Sequence, residues 1–279
     1  MILTFKEKNH EYKSLGEDSD VDWIGVTTLV SHFKRPFDSA EQSLKSSLNK
    51  RSKWYGLTAE EVQALWKAES DRASTTGTWY HDQREKDLME FHSIDRDGVT
   101  VPIIRPIYKE GVKIAPEQKL SNGVYPEHFV YLRSAGICGQ SDRVEVVNDI
   151  VSISDYKTNK ELKLVGYTNW EGITTMMTGP VSHLDDCHLN HYAIQLSLYL
   201  YIIIKHNPSY KPGKLHIEHV ILEEDSKDQY GYPIHKRDNE GNYIVKEVKI
   251  YEVPYYKLEV INMINYLKDN RELVKSKKK

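Results

Sequence analysis

An α/β fold, a central mixed sheet flanked by helices, is predicted for this chain by three stretches. Val144, Val146 and Val147 precede Asn148-Asp149, and Ile150, Val151 and Ile153 follow it. Two β-rich runs around a two-residue polar turn read as a β-hairpin. Cys187 to Lys205 is apolar nearly all round, the pattern of a helix buried against a sheet. Leu215 to Leu222 reads as a core strand, and Tyr255 to Val274 as an amphipathic helix with Leu258, Ile261, Ile264 and Leu267 on its apolar side. The 279 residues are enough for one large domain, and we read 1–279 as one. It carries a helical insertion at about 37–75, a loop insertion at about 162–186 and a disordered basic tail from Lys275 to Lys279.

The other elements follow in order. Residues 1–31 read as strands and turns, with Leu3 and Phe5 alternating with polar residues and Gly16 to Asp22 forming a polar loop. Val26 to Val30 opens a helix capped by Thr27 or Thr28, and Pro36 interrupts what precedes it. From Phe37 to Glu90 the pattern is mostly helical. Thr58-Ala59-Glu60-Glu61 is a capping-box signature, and Val62, Leu65 and Trp66 recur at helical spacing. Lys45, Lys50, Arg51 and Lys53, followed by Trp54 and Tyr55, make a basic-aromatic stretch. Such a mix suits a single strand, whose backbone attracts cations and whose bases stack on rings. It suits a solvated helical hairpin with buried aromatics as well.

His81 and Glu85 are four apart, so a helix puts them on one face. Residues 92–126 are rich in Gly and Pro, which leave short strands such as Val101 to Ile104 at a sheet edge. Phe129 to Leu132 reads as a strand pairing with the hairpin, just after Glu127. Lys160 and Lys163 at the start of the loop insertion fit phosphate contacts or plain solvation. Asp185 or Asp186 caps the next helix, on which Tyr192, Gln195 and Tyr199 share a side. A second hairpin is expected around Asp238 to Asn242, between Ile234 and Tyr243 to Val245. Ile250 to Val253 continues the sheet, and Pro254 ends it.

The first hairpin gathers chemistry. With Asn148 and Asp149 as the central turn residues, Val147 faces Ile150, and counting back along both strands sets Asp142 opposite Asp155. Alternation places Lys157 on the same face. Facing carboxylates repel unless a proton or cation sits between them. Hard divalent cations such as magnesium take such oxygen ligands. A lysine beside them can position a nucleophile or stabilise a developing oxyanion. A solvated hairpin face with an incidental Asp–Lys pair fits the same residues.

Composition narrows the classes. The formal net charge of -3 and pI near 6.5 are not the footprint of a protein coating duplex DNA. The longest apolar run, near Leu196 to Ile204, is too short to span a membrane, and the N-terminal residues lack a signal-peptide core. A cytoplasmic protein is expected, in the host cytoplasm if phage-encoded. Two cysteines, Cys138 and Cys187, cannot supply the four thiolates of an ordinary iron–sulfur cluster, and no disulfide framework is indicated. His183, His188 and His191 fit no strong zinc spacing.

Gly139-Gln140-Ser141-Asp142-Arg143-Val144, followed by Asp155-Tyr156-Lys157-Thr158-Asn159-Lys160, resembles motifs II and III of the PD-(D/E)XK nuclease superfamily, in its RecB-type, lambda-exonuclease-like branch. Gly77 to Glu85, a GxxxHxxxE arrangement, is similar to the branch's first motif, whose histidine contacts the metal. Gln195 to Tyr199 is similar to its QxxxY motif, which lies beside the catalytic cluster. The resemblance runs from about Gly77 to Tyr199, and the motifs are specific as a set. It implies a restriction-endonuclease-like core in helix–hairpin–helix order. It further implies magnesium or manganese held by His81, Asp142, Asp155 and the backbone carbonyl of Tyr156, with Glu127 a looser match. Lys157 would orient the nucleophile, and Glu85 and Gln195 would support it. We expect substrate contacts from Tyr199, Lys160, Lys53 and Trp54. The implied activity is a metal-dependent DNA exonuclease without an iron–sulfur cluster, acting on single-stranded ends in recombination, repair or replication, with a helicase or recombination protein as partner. The alternatives are a nucleic-acid-binding module without turnover, indifferent to chelator, and a metal phosphohydrolase for a small substrate.

Overall fold

The computed structural model describes residues 2–6, 11–15, 21–96 and 98–276. The polar loop expected from Gly16 lies outside the described residues as far as Asp20, as do the Phe5 side chain and Lys277 to Lys279 of the tail; Lys275 and Ser276, expected in that disordered tail, are helical. Strands β1 (Ile2–Lys6) and β2 (Glu11–Leu15) form a hairpin. Strand β3 (Ile24–Gly25) runs straight into helix α1 (Val26–His32). The cap expected at Thr27 or Thr28 therefore falls on Gly25, which makes no side-chain bond, because both threonines are already inside the helix.

Helix α2 (Ser39–Leu48) is capped by Asp38, whose carboxylate accepts from Glu41 N. Helix α3 (Ala59–Met89) starts on the predicted capping box of Thr58 and Glu61. It runs unbroken for 31 residues, so the helical insertion has no boundary at residue 75 and is continuous with the helix bearing His81.

Short strands β4 (Ser93–Arg96), β5 (Val99–Pro102), β6 (Ile107–Lys109) and β7 (Val112–Ile114) fill the Gly- and Pro-rich stretch. Then come β8 (Gly123–Leu132), β9 (Ile137–Val147), β10 (Ile150–Lys157), helix α4 (His188–His206) and β11 (Lys211–Leu222). Strands β12 (Glu224–Lys227), β13 (Pro233–His235) and β14 (Val245–Val253) precede helices α5 (Lys257–Asp269) and α6 (Arg271–Ser276).

The principal sheet is mixed. Its order is β14-β11-β10-β9-β3, with β8 also on β9. Asn148 and Asp149 both take left-handed conformations, φ 51° and 63°, as a two-residue hairpin turn of type I′ requires. The register is the predicted one, from Val147↔Ile150 through Arg143↔Ser154. Strand β8 runs along one edge of β9, from Gly123↔Val146 to Leu132↔Ile137. A strand has two edges, so β10 and β3 must share the other. Strand β10 takes it from Arg143 to Val147, and β3 takes it at Ile137 and Cys138. Between these pairings β10 peels away from β9. Strands β10 and β11 are parallel, which needs a long crossover. The segment after Lys157 and helix α4 supply it.

Alternation assigns the two faces. Val144, Ile153 and Ile217 pack in the main core with Leu29 of α1, Ile194 and Leu198 of α4, and Met263 of α5. Each fully buried Leu or Ile there contributes about 1.5–3 kcal/mol. Tyr156, Val220 and Leu222 point the other way and pack on Tyr80 of α3. Helices α3 and α4 thus cover opposite faces. Gly139 lies under Tyr199: a Cβ there would stand 2.7 Å from the buried ring, so the close strand–helix approach admits no side chain.

Three expected local features differ. Helix α4 is capped by the Cys187 backbone, not by Asp185 or Asp186. Asp185 accepts from Gly166 N at 2.9 Å, and Asp186 accepts from Arg35 N at 2.7 Å and pairs with His191. Asp185 ties down the preceding loop, and Asp186 joins α4 to the segment after α1. The turn expected at Asp238 to Asn242 forms, with Asp238 N donating to Asn242 O at 2.9 Å, but Ile234 pairs instead with β12 in a further hairpin whose turn is closed by Asp228 Oδ1, accepting from Tyr230 N and Tyr232 N at 2.9 Å. Tyr243 keeps one bridge, to Arg237, and Val245 begins β14 on the main sheet. The C-terminal helix breaks at Asn270, where Arg271 turns to donate to the carbonyls of Ala135 and Gly136 at 3.0 Å each. Among the described residues no helix is long and apolar enough to cross a membrane.

Candidate metal centre

The carboxylates come from three adjacent strands at one level. Pro126↔Arg143 and His128↔Ser141 flank a level at which Glu127 faces Asp142. One step beyond Arg143↔Ser154, Asp155 comes level with Asp142 on the other side. The ladder is open here. Glu127 has a left-handed backbone, φ 47°, which a non-glycine residue adopts only when its surroundings hold it there. Tyr156 N donates to Asp142 Oδ2 at 2.6 Å instead of to a strand carbonyl.

Helix α3 brings His81 in from the opposite layer. Its Nδ1 lies 3.4 Å from Glu127 Oε1 and 3.5 Å from Asp142 Oδ1. Ligand atoms of His81, Glu127 and Asp142 all lie within 4.8 Å of one another. Gln140, two residues before Asp142, donates to Glu127 Oε2. Lys157 forms an ion pair with Asp155 Oδ2. Gln195 of α4 donates to Asp155 Oδ1 at 3.2 Å and to the Tyr199 hydroxyl at 3.3 Å. The Lys157 ammonium stands 4.8 Å over the Tyr192 ring, and the Tyr192 hydroxyl accepts from Asn159 Nδ2 at 2.9 Å.

The electrostatics follow from burial. Burial pushes the Asp142 carboxyl up, against the pull of His81, and pushes Asp155 up to about 6, against the pull of Lys157. Burial also opposes charge on His81, yet the Asp142 and Glu127 carboxylates outweigh it and raise the imidazole to about 9. Lys157 is likewise opposed by burial and raised by Asp155 and Asp142, so it keeps its proton. One imidazole and two hard carboxylates form a donor set for a divalent cation.

Not every expected site residue joins the cluster. Asp142, Asp155, Lys157, His81 and Gln195 come together, and Glu127 is central. Asp155 is drawn toward Lys157 and Gln195 and lies outside the three-residue ligand group. Tyr156 takes part through its amide. Glu85 lies one helical turn beyond His81 and pairs with Lys113 of β7 at 3.9 Å. Tyr199 is 2% exposed and Trp54 6%, so both lie in the packed interior. Trp54 packs among Trp66, Tyr230 and Tyr232. Lys53 caps that cluster, donating to Tyr230 O at 2.6 Å, and Lys160 is exposed, 3.4 Å from Gly231 O. His183 pairs with Glu259, His191 with Asp186, and His188 Nδ1 accepts from Lys163 N.

Sequence reasoning missed Gln140, although strand alternation with Asp142 could have found it. It also missed Arg143. Beneath the site, on the α3 face, Arg143 donates to Glu218 at 2.8 Å, Ser154 Oγ at 2.9 Å and the Tyr156 hydroxyl at 3.3 Å. Glu145 joins Arg143 to Arg96.

No protein-family model matches the chain. No curated protein matches it. A solved structure, the crystal structure of SSO0001, is similar over 93% of this chain and 78% of its own, at 13% identity and a TM-score of 0.33. A likeness that low carries no argument about fold or function.

Proposed function

We propose that this chain is a metal-dependent deoxyribonuclease of the PD-(D/E)XK type that hydrolyses phosphodiester bonds, working as an exonuclease on single-stranded DNA ends in recombination, repair or replication. DNA is its proposed partner, delivered by a helicase or recombination protein in the cytoplasm. One observation carries the reading: His81, Glu127 and Asp142 converge within 4.8 Å, beside the Asp155–Lys157 ion pair. Magnesium or manganese held by His81, Glu127 and Asp142 would polarise a phosphodiester oxygen and acidify a water. Lys157 keeps its proton, so it acts as a fixed positive charge toward the transition state and not as a base. Asp155 and Tyr192 hold that ammonium in place, and Gln195 fixes Asp155. Tyr156 N orients Asp142.

The test is incubation of purified protein with end-labelled single- and double-stranded DNA in manganese, magnesium or chelator, with Asp155→Ala alongside. Metal-dependent loss of label from one end, absent in the variant, is the expected result. Intact DNA in every lane while manganese binds would overturn the reading in favour of a binding module or a small-substrate hydrolase.

The shifted groups also set a pH dependence. The folded values of His81, about 9, and Asp155, about 6, both lie above their ordinary values. Both contributions to metal-free stability are therefore present below the unfolded values and fall as pH rises through about 6 and then about 9. A metal must displace the His81 proton, so its affinity rises across that window. The gain in melting temperature from manganese is expected to be larger at about pH 8 than at about pH 6. Equal gains would remove His81 from the ligand set.

A further inference from the structure

The crossover between Lys157 and α4 carries an apolar surface that the cluster does not use. From Leu164 to Ile173 it presents five exposed large apolar side chains, with Tyr167 73% and Trp170 91% exposed. These side chains do not sit on a slack loop. Thr168 and Thr174 pair across an antiparallel bridge with their hydroxyls 2.9 Å apart. Asn169 Oδ1 accepts from Glu171 N at 3.0 Å and from Ile173 N at 2.9 Å, and Gly172, φ 80°, completes the turn. At the root, Thr175 N donates to Tyr167 O at 2.8 Å, and Leu189 N of α4 donates to Lys163 O at 3.1 Å. The result is a braced finger with aromatic rings held out in water. Clustered exposed apolar surface of this kind marks a contact site.

Charge and position indicate the occupant. Lys160 and Lys163 are exposed at the root of the finger. Lys34 is half-buried and feels the charges of Asp186 and Lys157. Helix α4 leaves the root and, within its first turns, presents Tyr192 and Gln195 to the Lys157–Asp155 pair. A ligand reaching from finger to carboxylates would meet cations near the cluster and rings further out. A single nucleic-acid strand has that layout, with a charged backbone and flat base faces free to stack. A duplex buries the same faces in its own stack.

We propose that the finger is a base-stacking element, in which Tyr167 and Trp170 hold unpaired bases of a strand whose phosphates pass Lys160, Lys163 and Lys34. This rests on the nuclease reading and says how the unpaired strand of that reading is held. The test is fluorescence anisotropy in chelator with a labelled single strand of about 20 nucleotides, an abasic strand of the same length and a blunt duplex. Wild type is compared with the Tyr167→Ala/Trp170→Ala double variant and with Trp170→Phe. The double variant is expected to bind the single strand at least about tenfold more weakly, to lose its preference over the abasic strand and to bind the duplex as wild type does. Trp170→Phe, which keeps a ring, should retain most of the affinity. Unchanged single-strand binding, equal loss on the duplex, or a loss seen only on anionic lipid vesicles would each overturn the proposal. Cleavage with manganese, run in parallel, separates the two failures. Cleavage by wild type with unchanged binding by the double variant sinks the finger alone. A wild type that neither binds nor cleaves any strand sinks the nuclease reading, and the finger with it.

Discussion

Asp142→Asn is expected to lower manganese-dependent DNA cleavage by about a thousandfold or more, since the charge it removes stabilises the transition state by several kcal/mol. Asp142 is level with Glu127 on one side and Asp155 on the other and lies 3.5 Å from His81, so every charge in the cluster is felt there. Asparagine keeps an oxygen that can accept from Tyr156 N, so the splay between β9 and β10 should persist. Burial disfavours the charged carboxylate, and its removal relieves repulsion from Glu127. The variant should therefore melt at or above the wild-type temperature in chelator while losing manganese binding by calorimetry. Wild-type cleavage by a folded Asp142→Asn protein would remove this residue from the mechanism.

Arg143→Met is expected to cost about 3–5 kcal/mol of stability, because it leaves a buried carboxylate without its cation. Glu145 retains Arg96, at 2.9 and 3.0 Å. Glu218 pairs with Arg143 at 2.8 Å, and its side chain is 14% exposed. Urea denaturation measures the loss, and adding Glu218→Met should recover much of it, since both ends of the pair are then apolar. A cost below about 1 kcal/mol would mean that water reaches Glu218 and that the network under the site contributes little.

The first hairpin was legible because a two-residue Asn-Asp turn leaves one register, and alternation then delivers Asp142, Asp155 and Lys157 together. Glu127 was harder to place. The β8–β9 connection runs through a 3-10 turn, Arg133–Ala135, and Gly136, so opposite residues cannot be counted from a tight turn. His81 and Glu85 share a helix face as their spacing demands, yet Lys113, the partner of Glu85, sits in a separate sheet that no local pattern locates. Trp54 beside Lys53 reads as a stacking platform until Tyr230 and Tyr232 arrive from far along the chain and bury it. Strand register and alternation brought Asp142, Asp155 and Lys157 together in the sequence, and only the tertiary structure assigned partners among them.

The open level of the sheet also fixes a pitch. Glu127 and Asp142 ride on strands paired on both sides of this level, and paired strands lie about 4.8 Å apart, while Asp155 stands just past the last β9–β10 pair. The gap between Glu127 and Asp142 is therefore set by backbone hydrogen bonds formed elsewhere in the ladder. Remodelling the connecting loops would leave that pitch intact. Side-chain reach is the dimension left to adjust, and the longest acid, Glu127, stands on the one strand of the three with a left-handed residue at this level. Such a centre resembles a ruled grating with one movable tooth.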